Sequence, residues 1–214
     1  MARRKTDGKR ERILEAAVKV FAKKGYFAAK VSEIARKADV ADGTIYLYFR
    51  NKEDILVCLF DQVMAEYLER ARREVAAAVG AADRLLAMAE QHLRGLGQNR
   101  DLAVVFQVEL RQSTKFMERF TASWLQDYFA LLTSIIEDGQ RDGTLRPELP
   151  RKVVAKAFFG ALDEMVTSWI LSGKDYDLGQ LAAPVVDLFL RGAASSKKAS
   201  PVRTGLLAAA GGGK

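Results

Sequence analysis

The run ILVCLFDQVMAEYLERARREVAAAV, from Ile55 to Val79, holds neither proline nor glycine and repeats its apolar residues on a helical period. It predicts one long helix, and a helix of that length can link two packed units. It therefore divides the chain into a first segment, 1–54, a body, 55–193, and a tail, 194–214. Composition supports the same class. Four prolines and sixteen glycines in 214 residues argue against a loop-rich or all-β design, and 49% hydrophobic residues supply a real core.

Several classes are set aside early. One cysteine, Cys58, excludes an internal disulfide and, among apolar neighbours, reads as a small core residue. The opening MARRKTDGKRER has basic residues with no apolar stretch behind them, unlike a secretory signal. No apolar run approaches the ~20 residues that span a bilayer, so the expectation is a cytoplasmic protein with no membrane partner. The net charge of +7 is uneven: +6 over 1–54, −3 over 55–193 and +4 over 194–214. A basic head on a slightly acidic body points to a polyanion-binding head, although solvated surface lysines give the same count.

Within the first 54 residues, Ile13, Ala17 and Phe21 form a helical stripe with Leu14 and Val18 beside it. Gly25 closes that helix after Lys23 and Lys24. Val31, Ile34, Ala35 and Ala38 make a second, shorter stripe. A third helix follows in VADGTIYLYFRNKED, where Ile45 and Phe49 point inward against Ile34 and Phe21. Three helices with a tight turn between the last two form a helix-turn-helix unit, with Asp39 in the turn adopting the left-handed conformation. Gly43, Thr44, Leu47 and Tyr48 are left outside. A helix fits the major groove: Gly43 permits close approach, Thr44 can meet a thymine methyl or a phosphate, and tyrosine hydroxyls can bond phosphates. Lys52 can add its charge and a helix N-terminus. Tyr46 and Tyr48 as half-buried aromatics of an ordinary bundle is the competing reading.

The stretch GYFAAKVSEIARKADVADGTIYLYFRNKEDIL resembles the DNA-binding head of the TetR family of bacterial transcriptional repressors, with Gly43 to Lys52 matching the family's signature without a gap. The resemblance implies DNA contacts from Thr44, Tyr46, Tyr48 and Lys52, with Ser32 and the basic arm Arg3, Arg4 and Lys5 adding to them. Two positions depart from the family pattern. Ala41 stands where a serine cap is common, which costs about 1 kcal/mol unless Asp42 takes over, and Asp39 replaces the turn glycine.

The body reads as helices throughout, about nine in the whole chain, with no repeat. The long helix is interrupted at Gly80, and after it come a helix ended by Gly95 and Gly97, one capped by Asn99 or Asp101, and a long one capped by Ser113 or Thr114. Helices at about 150–172 and 177–192 follow, the latter opened by a capping-box-like Asp177 and Gln180. The helix over 150–172 is apolar on more than one side, so these last two are the expected homodimer interface. The Ser/Ala/Gly-rich basic tail, 194–214, reads as disordered. Phe106, Leu110, Phe120, Trp124, Phe129, Phe158, Phe159, Met165 and Trp169 line an apolar cavity or make plain core.

Three stretches, LAVVFQVELRQSTKFMERF, FFGALDEMVTSWILSGKDYDL and VADGTIYLYFRNKEDIL, resemble the FadR-like, acyl-CoA-responsive branch of that family, repressors of fatty-acid degradation genes. The resemblance implies a long acyl chain among the apolar residues just named and CoA phosphates at Arg111 or Arg100. Gln107, Glu109 and Asp163 then orient the thioester or make structural hydrogen bonds. The expected effector site is Phe106, Gln107, Leu110, Arg111, Trp124, Phe129, Phe159, Asp163 and Trp169, with long-chain acyl-CoA as effector and operator DNA as partner. No cofactor, metal or catalysis is expected: His92 is the single histidine, with no base or nucleophile constellation around it. A family member answering to another hydrophobic ligand, such as an efflux regulator, is the alternative; a helical enzyme or acyl carrier lacks the chemistry.

Overall fold

The structure is a computed structural model that describes residues 2–109, 111, 118 and 124–191. Among these residues it has nine α-helices and no strand. Leu110, the proposed cap at Ser113 or Thr114, Phe120 and the 194–214 tail lie outside the described residues, as do the side chains of Arg3, Arg4 and Lys5.

Helices α1 (Ala2–Lys24), α2 (Val31–Lys37) and α3 (Asp42–Ile45) build the head. The stripe expected on α1 is its buried face: Ile13, Ala17 and Phe21 are fully enclosed and meet Ile34, Ile45 and Phe49 in one apolar cluster. Arg3 to Lys5 belong to the first turns of α1, not to a separate arm. Asp39 has φ 55°, the left-handed conformation, while the Val40 amide donates to the Ala35 carbonyl at 3.0 Å and the Asp39 amide to that of Arg36 at 3.3 Å. Those two bonds close α2 with the Schellman pattern, using aspartate where glycine is usual. Helix α3 is a single α turn, shorter than expected, continued by the Tyr48 and Phe49 amides bonding back to Ile45. Ala41 provides no side-chain cap, as expected.

Helix α4 (Lys52–Ala77) begins at a cap no sequence pattern had singled out: Asn51 Oδ1 accepts from the Asp54 amide at 2.8 Å, and Asp54 Oδ2 accepts from the Arg50 amide at 2.9 Å. Its first turns, Ile55, Leu56, Leu59 and Phe60, belong to the head's apolar cluster, and Leu68, Ala71 and Val75 belong to the body's. One rigid rod thus shares both cores.

The body adds α5 (Gly80–Gly97), α6 (Arg100–Val104), α7 (Gln126–Arg141), α8 (Arg151–Ser172) and α9 (Ala182–Arg191), with a 3₁₀ turn, Leu178–Leu181, leading into α9. Asp177 caps that 3₁₀ turn through the Gly179 amide at 2.9 Å, so the helix expected at 177 starts with a tighter turn. Helices α5 and α7 approach so closely at Gly139 that a Cβ there would stand 2.7 Å from that of Ala81. Helix α6 runs on into a π-helical turn, Val105–Glu109. Turns of this kind inside helices recur at functional sites. None of the described helices is long and apolar enough to cross a membrane.

Candidate functional site

Two features stand out, one on the head and one in the body. On the head, the turn that continues α3 carries Tyr46 and Leu47 at 59% and 80% exposure, far too exposed for core aromatics or aliphatics of an ordinary bundle. Beside them Gly43 is open, with nothing near the position of a Cβ, and Ser32 is exposed on the first turn of α2. Thr44 and Tyr48 are half-buried at the edge of the same face. This is a shape a major groove accepts, with bare backbone and two large side chains at its centre.

Lys52 does something else. Its ammonium donates to the carbonyls of Tyr26 at 2.7 Å, Ala29 at 2.8 Å and Phe27 at 3.1 Å, and lies 4.6 Å from the centre of the Tyr26 ring. All three protons are spent on holding the α1–α2 loop, and burial lowers its pKa. The ammonium expected to clamp DNA is thus bonded within the head, and Lys52 also begins α4, whose N-terminus it presents.

In the body a cavity of about 320 Å³ opens between α4, α5, α6, α7 and α8. Val63, Met64, Leu96, Leu102, Phe106, Leu125 and Phe159 give it apolar walls, and Tyr67, His92, Gln107, Tyr128, Asp163 and Arg111 give it a polar side. Of the side chains expected to bind an effector, Phe106, Gln107, Arg111, Phe159 and Asp163 come together here. Trp124, Phe129 and Trp169 line no part of it. The Trp124 indole donates to Asp61 at 2.8 Å, Phe129 packs behind Phe159 with ring centres 5.2 Å apart, and Trp169 is buried core. Arg100, proposed for a CoA phosphate, instead caps α8: its guanidinium donates to the carbonyls of Trp169 and Ile170, both at 2.8 Å, and stacks on the Trp169 ring.

The polar side has a definite wiring. Asp163 accepts from Gln107 Nε2 and from Arg111 Nη2, each at 2.8 Å, and Arg111 is half-exposed. Gln107 Oε1, His92 Nε2 and the Tyr67 hydroxyl are buried without a hydrogen-bond partner among the described residues. Such atoms are rare in folded proteins, and each calls for a reason. The Tyr67 ring stacks on that of Tyr128, 6.0 Å between centres, without a hydrogen bond of normal geometry between their hydroxyls. Burial pushes the Tyr67 and Tyr128 phenols up and His92 down to about 4, so all three are neutral near pH 7. Arg70 also lines the cavity, exposed and in no ion pair among the described residues. Tyr67, His92, Tyr128 and Arg70 were not foreseen. On a helix of the expected length nothing in their spacing separates a cavity-facing residue from a core one.

The π turn joins the two features. Val105 belongs to the head's core, the Phe106 ring meets that of Phe60 edge-on at 4.8 Å, and Gln107 faces the cavity. Glu109, buried, accepts from the Tyr26 amide at 2.6 Å, immediately after Gly25, whose φ is +78°. Glu109 thus makes a structural hydrogen bond into the head.

Comparison with known proteins agrees with this layout. Residues 13–58 match the model of bacterial regulatory proteins of the tetR family, and residues 60–192 match that of the YsiA-like protein C-terminal region. The fatty acid metabolism regulator protein of Bacillus subtilis is 38% identical over 180 residues, 84% of this chain and 93% of that one. Two solved structures superpose over 85% of this chain and 98% of theirs. One is FadR from Bacillus subtilis in complex with stearoyl-CoA, with a TM-score of 0.80 and 37% identity. The other is the fatty acid degradation regulator FadR from Bacillus halodurans, with a TM-score of 0.79 and 39% identity.

Proposed function

We propose, from the premise that this chain belongs to the TetR family of bacterial regulatory proteins, that it represses fatty-acid degradation genes and leaves its operator when it binds a long-chain acyl-CoA. Family members of this kind act on operator DNA as dimers, and acting on DNA places the protein in the cytoplasm. The exposed face of α3 and the turn that continues it, Gly43, Thr44, Tyr46, Leu47 and Tyr48, enters the major groove, and Ser32 and the basic start of α1 meet phosphates. The acyl chain occupies the cavity, with Arg70 and Arg111 at its polar edge facing the CoA phosphates.

The observation that carries this reading is the π turn. One five-residue segment presents Gln107 to the cavity and Glu109 to the backbone of the head. A ligand that pulls on Gln107 and its partner Asp163 also moves the peg that fixes the α1–α2 loop. Since a ligand shifts an equilibrium only by its differential affinity for two states, coupling requires a shared element of this kind. The test is a gel shift on the protein's own upstream DNA at fixed salt. Release of a specific complex by stearoyl-CoA, but not by CoA or stearate, is expected. A specific complex indifferent to acyl-CoA would leave the repressor and sink the effector, favouring a different hydrophobic ligand.

Helices α8 and α9 form the dimer interface in this reading. Val153 and Leu171 on α8 and Leu188 on α9 are exposed, Gly160 leaves room for a neighbouring helix, and the Phe158 and Phe189 rings at 4.9 Å lock the pair together. Leu188→Asp should shift sedimentation toward the monomer; an unchanged dimer would place the interface elsewhere.

A further inference from the structure

Three elements bring three unpartnered polar atoms to one cavity: the Tyr67 hydroxyl from α4, His92 Nε2 from α5 and Gln107 Oε1 from the π turn. His92 and Gln107 are each more than nine-tenths buried. A hydrocarbon tail laid against these atoms would leave all three desolvated and unbonded, at a cost of about 1–3 kcal/mol each. The ligand must therefore carry polar atoms to this spot, and the pattern of donors and acceptors says which. Asp163 takes the Gln107 amide nitrogen at 2.8 Å, so the amide oxygen, an acceptor only, is the atom left for a ligand. The Tyr128 hydroxyl faces His92 Nδ1 at 3.5 Å; with that hydroxyl as donor, the imidazole proton sits on Nε2 and points at the cavity. The Tyr67 hydroxyl is a second donor. With that tautomer the lining of one cavity offers two donors and one acceptor.

We infer that this cluster grips the thioester junction of the effector. The thioester oxygen accepts from His92 Nε2 and Tyr67, and the nearest amide N–H of the pantetheine arm donates to Gln107 Oε1. This rests on the acyl-CoA reading above and adds its recognition residues. Position favours the junction over any group along the acyl chain. Gln107 is one link, through Asp163, from the half-exposed Arg111, so the cluster stands where a buried tail meets an outward-reaching carrier. A free fatty acid lacks the pantetheine amide that Gln107 Oε1 accepts from, so the cluster separates thioester from acid by its hydrogen bonds.

Direct titration of the full-length protein with stearoyl-CoA and with its S-octadecyl thioether, which lacks only the carbonyl oxygen, tests this. The wild type should bind the thioester at least about tenfold more tightly, as befits lost hydrogen bonds in a buried site. His92→Phe should lower the ratio, and His92→Phe combined with Tyr67→Phe should bring it close to one. Gln107→Met should weaken both ligands by about fivefold and leave their ratio unchanged, because both keep the pantetheine amide. Each ratio is taken within a single variant, so partial loss of folded protein cancels. Equal affinity for both ligands in the wild type, or a ratio that survives the double variant, overturns the inference while leaving an acyl-CoA-responsive repressor. Failure of both ligands to bind the wild type overturns the acyl-CoA reading itself.

Discussion

The head and the body satisfy their buried polar atoms in opposite ways. In the head, Lys52 closes three carbonyls, Glu109 takes the Tyr26 amide and Asn51 caps α4. In the body lie all four buried side-chain atoms that lack a partner among the described residues, on Tyr67, His92, Gln107 and Trp169. A reader of DNA must hold one shape and keep its chemistry outside, so its interior is saturated. A sensor must keep something in reserve for its ligand, and three of those four atoms, on Tyr67, His92 and Gln107, belong to residues that line the cavity.

Breaking the saturated side should have the largest effect. Lys52→Met keeps the apolar stem and removes the ammonium, leaving three carbonyls of one loop without their donor. With hydrogen bonds to charged groups worth about 1.5–3 kcal/mol each and the site partly exposed, the loss should be about 3–4 kcal/mol in all. Denaturant unfolding reads it, and operator binding should fall with it. A neutral Lys52→Met would mean that the loop is held by packing alone and that the head owes nothing to saturation.

The next effect comes from pH and belongs to the body. His92 is buried as neutral imidazole, and burial, its first cause, holds its pKa at about 4 against 6.5 in an exposed histidine. As pH falls, the unfolded chain binds this proton first. The contribution is complete above pH 6.5 and drains away between 6.5 and about 4, by roughly 3 kcal/mol over that window. With one histidine in the chain the assignment is unambiguous. Unfolding free energies of the wild type and His92→Phe should diverge as pH drops through the window, the wild type losing more. Parallel curves would place the His92 pKa near its ordinary value and its ring within reach of solvent.

How much of this was legible in the sequence follows the same division. The reader was visible because its function breaks a pattern: Tyr46 and Leu47 are large side chains on the wrong face of a helix whose Ile45 and Phe49 fix the inner one. Asp39 was equally readable, since a turn of that length needs a left-handed residue. The sensor was half-visible. Phe159 lines the cavity and Phe129 packs behind it, yet both are aromatics on the inner faces of helices. Helical period gives the face a residue is on but not whether a neighbouring helix touches it or stands back. Arg100 and Lys52 have partners in the fold that the sequence did not show, for a related reason. Charge is read from sequence as available, whereas both cations are consumed by carbonyls of segments far along the chain, at residues 169–174 and 26–29.

A smaller, sharper contrast uses the exposed face of α3. Leu47 is 80% exposed, so Leu47→Ala should leave stability within about 0.5 kcal/mol. Losing an apolar contact in the groove should still weaken operator binding by about 1–2 kcal/mol. Gel shifts at one salt concentration and a thermal melt separate the two. If Leu47→Ala lowers stability as much as operator affinity, the side chain is folded against the head and the face has been drawn in the wrong place.

The smallest effect has the most telling sign. Tyr67→Phe deletes a hydroxyl that is buried in the body without a hydrogen bond. Removing a polar atom from a saturated interior destabilises, but removing one that was never paired relieves its desolvation. The ligand-free protein should therefore gain up to about 1 kcal/mol, a rise of about 2–4 °C in Tm for a chain of this size. Stearoyl-CoA should bind more weakly to the same variant, so stability and affinity move in opposite directions. That opposition is what a held-back hydrogen bond means physically: the fold carries the strain of an unmet donor and recovers it when the ligand arrives. Destabilisation by Tyr67→Phe would show that the hydroxyl already has a partner in the fold, and the body would then be as saturated as the head.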